Sequence, residues 1–183
     1  MYKRASLTQE LMADLRFSVE ECPGSILARA LTNRGFHALL AYRIAHRLQR
    51  TPLSPLGFLL TRATQIAYGI DIDPQARIAG GVIIYHGMGI VIGSGVTIAS
   101  RVILFHGVTL GIKRGGYRDG FPTVESGVIL GAGAKLLGRL VVGENSIVGA
   151  NAVISSDIPA DSIAKPAPIQ VTSRVAVREV FSS

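Results

Sequence analysis

The chain has 183 residues, 48% of them hydrophobic and only 17% charged, which is enough apolar material for a sizeable core in one or two domains. The net charge of +7 favours anionic partners, but the basic residues are scattered, aromatics are few and tryptophan is absent, so no nucleic-acid stacking surface is expected. The single cysteine, Cys22, excludes an internal disulfide framework and suits a reducing, cytoplasmic setting; charges at Glu10, Asp14 and Arg16 argue against a signal peptide, and no apolar run reaches the about 18 residues of a membrane span.

Residues 1–69 read as a helical domain. Ser6 and Gln9 can form a capping box, and Leu7, Leu11, Leu15 and Val19 then line one helix face. Pro23-Gly24 breaks that helix. A second helical stretch covers Ser25 to Leu31 and ends at Asn33-Arg34-Gly35; a third starts at Phe36 with Leu39, Leu40, Ile44 and Leu48 on its apolar stripe. Pro52 and Pro55 open a fourth helix, which carries Phe58, Leu59, Arg62 and Ile66 and closes at Gly69.

From residue 70 the period changes. Ile72, Ile78, Ile84, Ile90, Val96, Val102 and Val108 stand six apart, and Val124, Leu130, Leu136, Val142, Val148 and Ile154 resume the same beat. A period of six fits neither a helix nor a single strand. It fits a β-solenoid in which each hexapeptide is one short side and each coil stacks its aliphatic residues on the coil before. Three sides make a coil of about 18 residues. Gly93, Ala99, Gly143 and Gly149 suit the corners. The fold class is therefore α+β: helical domain 1–69, then a parallel β-solenoid over 70–183, with the helices capping its open first coil. The polar, Gly-rich stretch 113–123 reads as an excursion loop, the kind of place where function concentrates. Val171, Val175 and Val177 can form one last strand.

Four histidines are present. His37 and His46 sit on the helices and read as packed side chains, whereas His86 and His106 interrupt the repeat in Tyr85-His86-Gly87 and Phe105-His106-Gly107. Being 20 residues apart, they should lie on neighbouring coils near one corner. A histidine there can take a proton from a hydroxyl or amine, with Asp71, Asp73 and Glu20 as candidate orienting carboxylates. No third ligand is placed to complete a metal site, so no metal is expected. A CoA-binding or structural solenoid without catalysis stays open beside the enzyme reading.

The chain resembles bacterial serine O-acetyltransferases from about residue 10 to 170. The resemblance is carried by the stretch from Gly35 to His46, by Asp71-Ile72-Asp73-Pro74, by His86-Gly87-Met88-Gly89-Ile90-Val91-Ile92-Gly93, by Gly107-Val108-Thr109-Leu110-Gly111 and by Gly131-Ala132-Gly133-Ala134-Lys135. It implies a left-handed parallel β-helix, a homotrimer with two trimers pairing through the helices left open, and acetyl-CoA as co-substrate. It implies His86 as general base and Asp71 as its partner. It also implies a cofactor groove along Gly111, Ala132, Gly133, Lys135 and Ala150, with Lys165 as a further phosphate contact.

The departures concern the acceptor. In the family, aspartates and an Arg-His pair hold the amino acid; here those places fall on Glu20, Tyr85 and Gly120-Phe121, with Arg118 two positions earlier. His106 replaces a glutamine usual in the serine enzymes and matches related exopolysaccharide acetyltransferases. Glu20, Tyr85, His106, Arg118 and Phe121 are therefore the candidate acceptor contacts. A sugar hydroxyl, in surface-polysaccharide synthesis, is the expected acceptor, with L-serine as the alternative. The ending Val180-Phe181-Ser182-Ser183 lacks a terminal isoleucine, so docking into cysteine synthase is not expected.

Overall fold

A computed structural model describes residues 5–113 and 119–168. Arg118, Val171, Val175, Val177 and the terminal Val180 to Ser183 fall outside the described residues.

Four helices come first: α1 (Leu7–Glu21), α2 (Ile26–Thr32), α3 (Arg34–Leu48) and α4 (Ser54–Tyr68). The capping box at Ser6 and Gln9 forms as read, with Ser6 Oγ accepting from Gln9 N and the Gln9 side chain accepting from Ser6 N. The third helix starts two residues earlier than the sequence suggested. Asn33 ends α2 with its own N–H and caps α3 through its side chain, so no linker is needed. Gly35 then lies inside α3, where a Cβ would stand 2.3 Å from the Ile84 carbonyl oxygen. Glycine is there because the helix backbone rests directly on the solenoid.

The solenoid has three parallel faces. One contains β1 (Ile70–Ile72), β4 (Ile90–Ile92), β7 (Thr109–Gly111), β10 (Lys135–Leu137) and β13 (Val153–Ile154). The second contains β2 (Arg77–Ile78), β5 (Thr97–Ile98), β8 (Thr123–Val124) and β11 (Val141–Val142). The third contains β3 (Val82–Ile84), β6 (Val102–Leu104), β9 (Ile129–Leu130), β12 (Ile147–Val148) and β14 (Ile163–Ala164). The core is the stack of inward aliphatics, including Ile72, Ile92, Leu110 and Leu136, each at most 2% exposed.

Successive coils are not equal. Ile72 lies beside Ile92, Ile92 beside Leu110, Leu110 beside Leu136 and Leu136 beside Ile154, giving coil lengths of 20, 18, 26 and 18 residues. The first excess is two residues at the corner holding His86. The second is the excursion, whose neck is an antiparallel bridge between Lys113 and Gly120. The six-residue run through Ile90, Val96, Val102 and Val108 therefore changes register without a visible break. Residues two apart on a strand point the same way, so Ile90 and Ile92 are both buried and either carries the beat.

The helices close the open end of the first coil. Asp14 on α1 accepts from the Gly81 and Val82 amides at the start of β3. Arg43 on α3 holds Asp14 through two hydrogen bonds and donates to the Ile78 and Ala79 carbonyls. The Tyr42 hydroxyl donates to Ala76 O and accepts from Ile78 N. Backbone groups that would form an exposed sheet edge are thus paired with side chains.

Candidate active site

One corner of the prism, between the third face and the first, repeats a left-handed residue on every coil: Gly69, Gly89, Gly107, Gly133 and Asn151. The corners stack by backbone hydrogen bonds, Gly89 N to Gly69 O, Gly107 N to Met88 O, Gly133 N to His106 O and Asn151 N to Ala132 O, at 2.7–2.9 Å. Positive φ at each position favours glycine or asparagine.

His86 and His106 sit on this edge. The register pairs Ile84 with Leu104, so the two histidines are equivalent positions of successive coils. Their rings meet edge to face with centroids 6.1 Å apart, and both side chains are exposed on the single chain. His86 itself is left-handed, at φ 63°, because the two extra residues of its coil force a tight reversal there. Its carbonyl accepts from Met88 N.

Asp71 stands on β1, directly after the same corner, on an outward row with Val91, Thr109 and Lys135. Its carboxylate accepts from the Gln65 side-chain amide at 3.0 Å. No hydrogen bond joins it to His86 among the described residues. Gln65 escaped the sequence reading; its only sign was its position in the last turn of α4, just before Gly69. Lys135 Nζ donates to Gly107 O, so its ammonium is held at the histidine corner. Ala132 and Ala150 flank the corners above, and Lys165 is an exposed residue beyond β14 at the top of the same edge, where its Cα approaches Gly149.

Other candidates lie elsewhere. Glu20 pairs with Arg101 at 2.9 Å, and the pair is more than half exposed at the opposite end of β6 from His106. Asp73 is taken up by a local turn, accepting from Gln75 N, and does not orient a histidine. Phe121 covers Gly93 and Gly95, at the corner where the first face meets the second, and Gly111 is at the far end of the first face. Within one chain neither reaches the histidine edge. Tyr85 does lie beside it, with its ring 5.5 Å from Phe105. Burial pushes the Tyr85 hydroxyl above its ordinary pKa, with Cys22 and Glu21 adding to the effect and Arg29 opposing it, so it stays a neutral donor. His37 and His46 are packed as expected, His37 against Ala30 O and Tyr68 and His46 on Pro74 O.

Known proteins share this sequence pattern and this fold. Residues 121–156 match the bacterial transferase hexapeptide family (six repeats). A serine acetyltransferase of Synechococcus elongatus is 38% identical over 172 residues, covering 92% of this chain and 70% of that protein. The chain belongs to the serine acetyltransferase family. The solved serine acetyltransferase of Neisseria gonorrhoeae, in complex with serine, superposes with a TM-score of 0.82 at 32% identity, covering 90% of this chain and 68% of that one. A serine acetyltransferase structure in complex with CoA gives a TM-score of 0.82 at 32% identity, covering 91% and 70%.

In this family of acyltransferases, the matched part of the chain spans between about half and three quarters of the length of several relatives. Among the described residues no group of three metal-ligating side chains occurs, and no helix is long and apolar enough to cross a membrane.

Proposed function

We propose that the chain transfers an acetyl group from acetyl-CoA to an acceptor hydroxyl, with His86 as general base. The observation that carries this reading is the placement of His86 on an exposed edge whose corners are mostly glycine, beside which a thin pantetheine arm can lie. A hydroxyl is a poor nucleophile until a base takes its proton as it attacks the thioester carbonyl. In this scheme the acceptor oxygen forms the new ester bond, the C–S bond breaks, and the His86 imidazolium returns its proton to the departing thiolate. Asp71, held by Gln65, is the carboxylate that orients His86 once a substrate or a neighbouring subunit draws the two together. Ala132, Gly133 and Ala150 form the donor groove, and Lys165 meets its phosphates. The exposure of both histidines and of Met88, at 64%, supports a homotrimer in which a neighbour covers this edge. A cytoplasmic location goes with acetyl-CoA as donor.

The relatives shift the choice of acceptor. The sequence reading put a sugar first, but the similar proteins are named serine acetyltransferases and one was solved with serine, so L-serine is the leading acceptor. A sugar remains the second reading, favoured by one observation: the half-buried aromatic rings of Tyr85 and Phe105, next to the two histidines in the chain, offer apolar faces to a sugar ring, while Glu20 is already engaged by Arg101. The test is thiol release from acetyl-CoA with L-serine and, in parallel, with sugars and nucleotide-sugars. Turnover with serine supports the first reading, and turnover with a sugar alone supports the second. No turnover with any hydroxyl acceptor overturns the proposal. A pull-down with cysteine synthase tests that partner directly.

A further inference from the structure

A second concave site lies away from the histidine edge. A groove of about 960 Å³ runs between the C-terminal half of α3 and the outer surface of the second face. That volume is at the upper end of the range for small-molecule sites, roughly 300–1,000 Å³. Arg43, Arg47, Arg50 and Arg77 line it, and Glu10 is the only carboxylate among its lining residues. Arg43 is consumed by Asp14 and the Ile78 and Ala79 carbonyls, and Arg47 by Glu10 and Ala5 O. Arg50 and Arg77 are exposed and have no ion pair among the described residues. Arg77 projects outward from β2, beside Thr97 in the next coil. Gln49, at the end of α3, lines the same groove, and its Nε2 is buried with no hydrogen-bond partner.

We propose that this groove binds a phosphorylated small molecule of about nucleotide size, separately from the acetyl donor. Two unpaired guanidiniums offer planar forks that match phosphate oxygens. The groove carries an excess of positive charge, which raises the local concentration of anions. The negative end of the α3 dipole opposes this, and Arg47 in the last turn offsets it. A nucleic-acid strand is a poorer fit, since the groove offers no exposed aromatic on which bases could stack.

The experiment is calorimetric titration of the full-length protein with inorganic pyrophosphate in the presence of saturating CoA, so that the donor site is filled. Citrate serves as the carboxylate control. Binding is expected in the wild type and should weaken at least about tenfold in R50Q/R77Q, which removes both unpaired guanidiniums. Both substitutions are at exposed positions, and an unchanged melting temperature shows that the variant is folded. KM for acetyl-CoA should not move. Absence of pyrophosphate binding, or equal affinity in the variant, overturns the proposal. Equal binding of citrate overturns the phosphate assignment. A raised KM for acetyl-CoA in R50Q/R77Q makes the groove part of the donor site and overturns its separateness.

Discussion

His86 and His106 occupy the same corner on successive coils, and their rings meet edge to face at 6.1 Å. Of the two, His86 is the proposed base. Substituting His86 by alanine should lower kcat by about 10²–10⁴-fold with the circular dichroism spectrum unchanged, because the corner is held by backbone bonds that the side chain does not make. His106→Gln should keep most of kcat and change KM for the acceptor. If His106→Gln abolishes turnover while His86→Ala does not, the assignment is reversed.

Gln65 is the one described donor to Asp71. Gln65→Leu removes it and leaves a half-buried carboxylate free to swing. A fall in kcat of roughly tenfold is expected, about the worth of one hydrogen bond to a charged group, with KM for acetyl-CoA unchanged. Gln65→Glu should do more damage than leucine, since two carboxylates would then face each other. Steady-state kinetics of both variants check the order.

Asp14 is buried, and desolvation raises its pKa above 3.8, with Arg43 and the Gly81 and Val82 amides pulling it back. A carboxyl with a raised pKa in the fold holds its proton more tightly folded than unfolded. Its ionisation therefore subtracts stability as pH rises from 3.8 through the folded value, and it contributes nothing below both. Arg43→Met removes the main compensating charge and pushes that value further up. The variant should lose about 3–5 kcal/mol at pH 7 and distinctly less at pH 4, where Asp14 takes up its proton instead. Thermal melts at the two pH values decide this, and equal losses would refute it.

Gly35 is set by a close approach and not by a turn. In Gly35→Ala the new methyl carbon would fall 2.3 Å from Ile84 O, so α3 must lift from the solenoid. A loss of about 1–3 kcal/mol is expected, the usual cost of overpacking, even though alanine is the better helix former. Chemical denaturation measures it; a gain in stability would mean that α3 does not rest on β3.

Local features were legible because neighbouring residues specify them. The Ser6 cap, the Pro23-Gly24 break and the Gly69 stop are each written in a few adjacent residues, and all appear where expected. Asn33 misled because one residue served two helices at once. Among the candidate site residues, His86, His106, Asp71, Tyr85 and Lys135 do share an edge; the two histidines were legible as breaks in the repeat, and the roles of the other three came with the family resemblance.

The six-residue beat by itself determined that this chain winds a solenoid and which aliphatics fill it, because burial depends only on which way a side chain points along its strand. The tertiary structure decided what lies beside what. Two extra residues at the His86 corner pass unseen in the beat, yet they place His86 level with His106. Glu20 goes to Arg101 and Phe121 to Gly93 and Gly95 through contacts between segments far apart in the chain. Such pairings depend on the length of every coil between them, and a period, which records direction and not distance, carries no information about that.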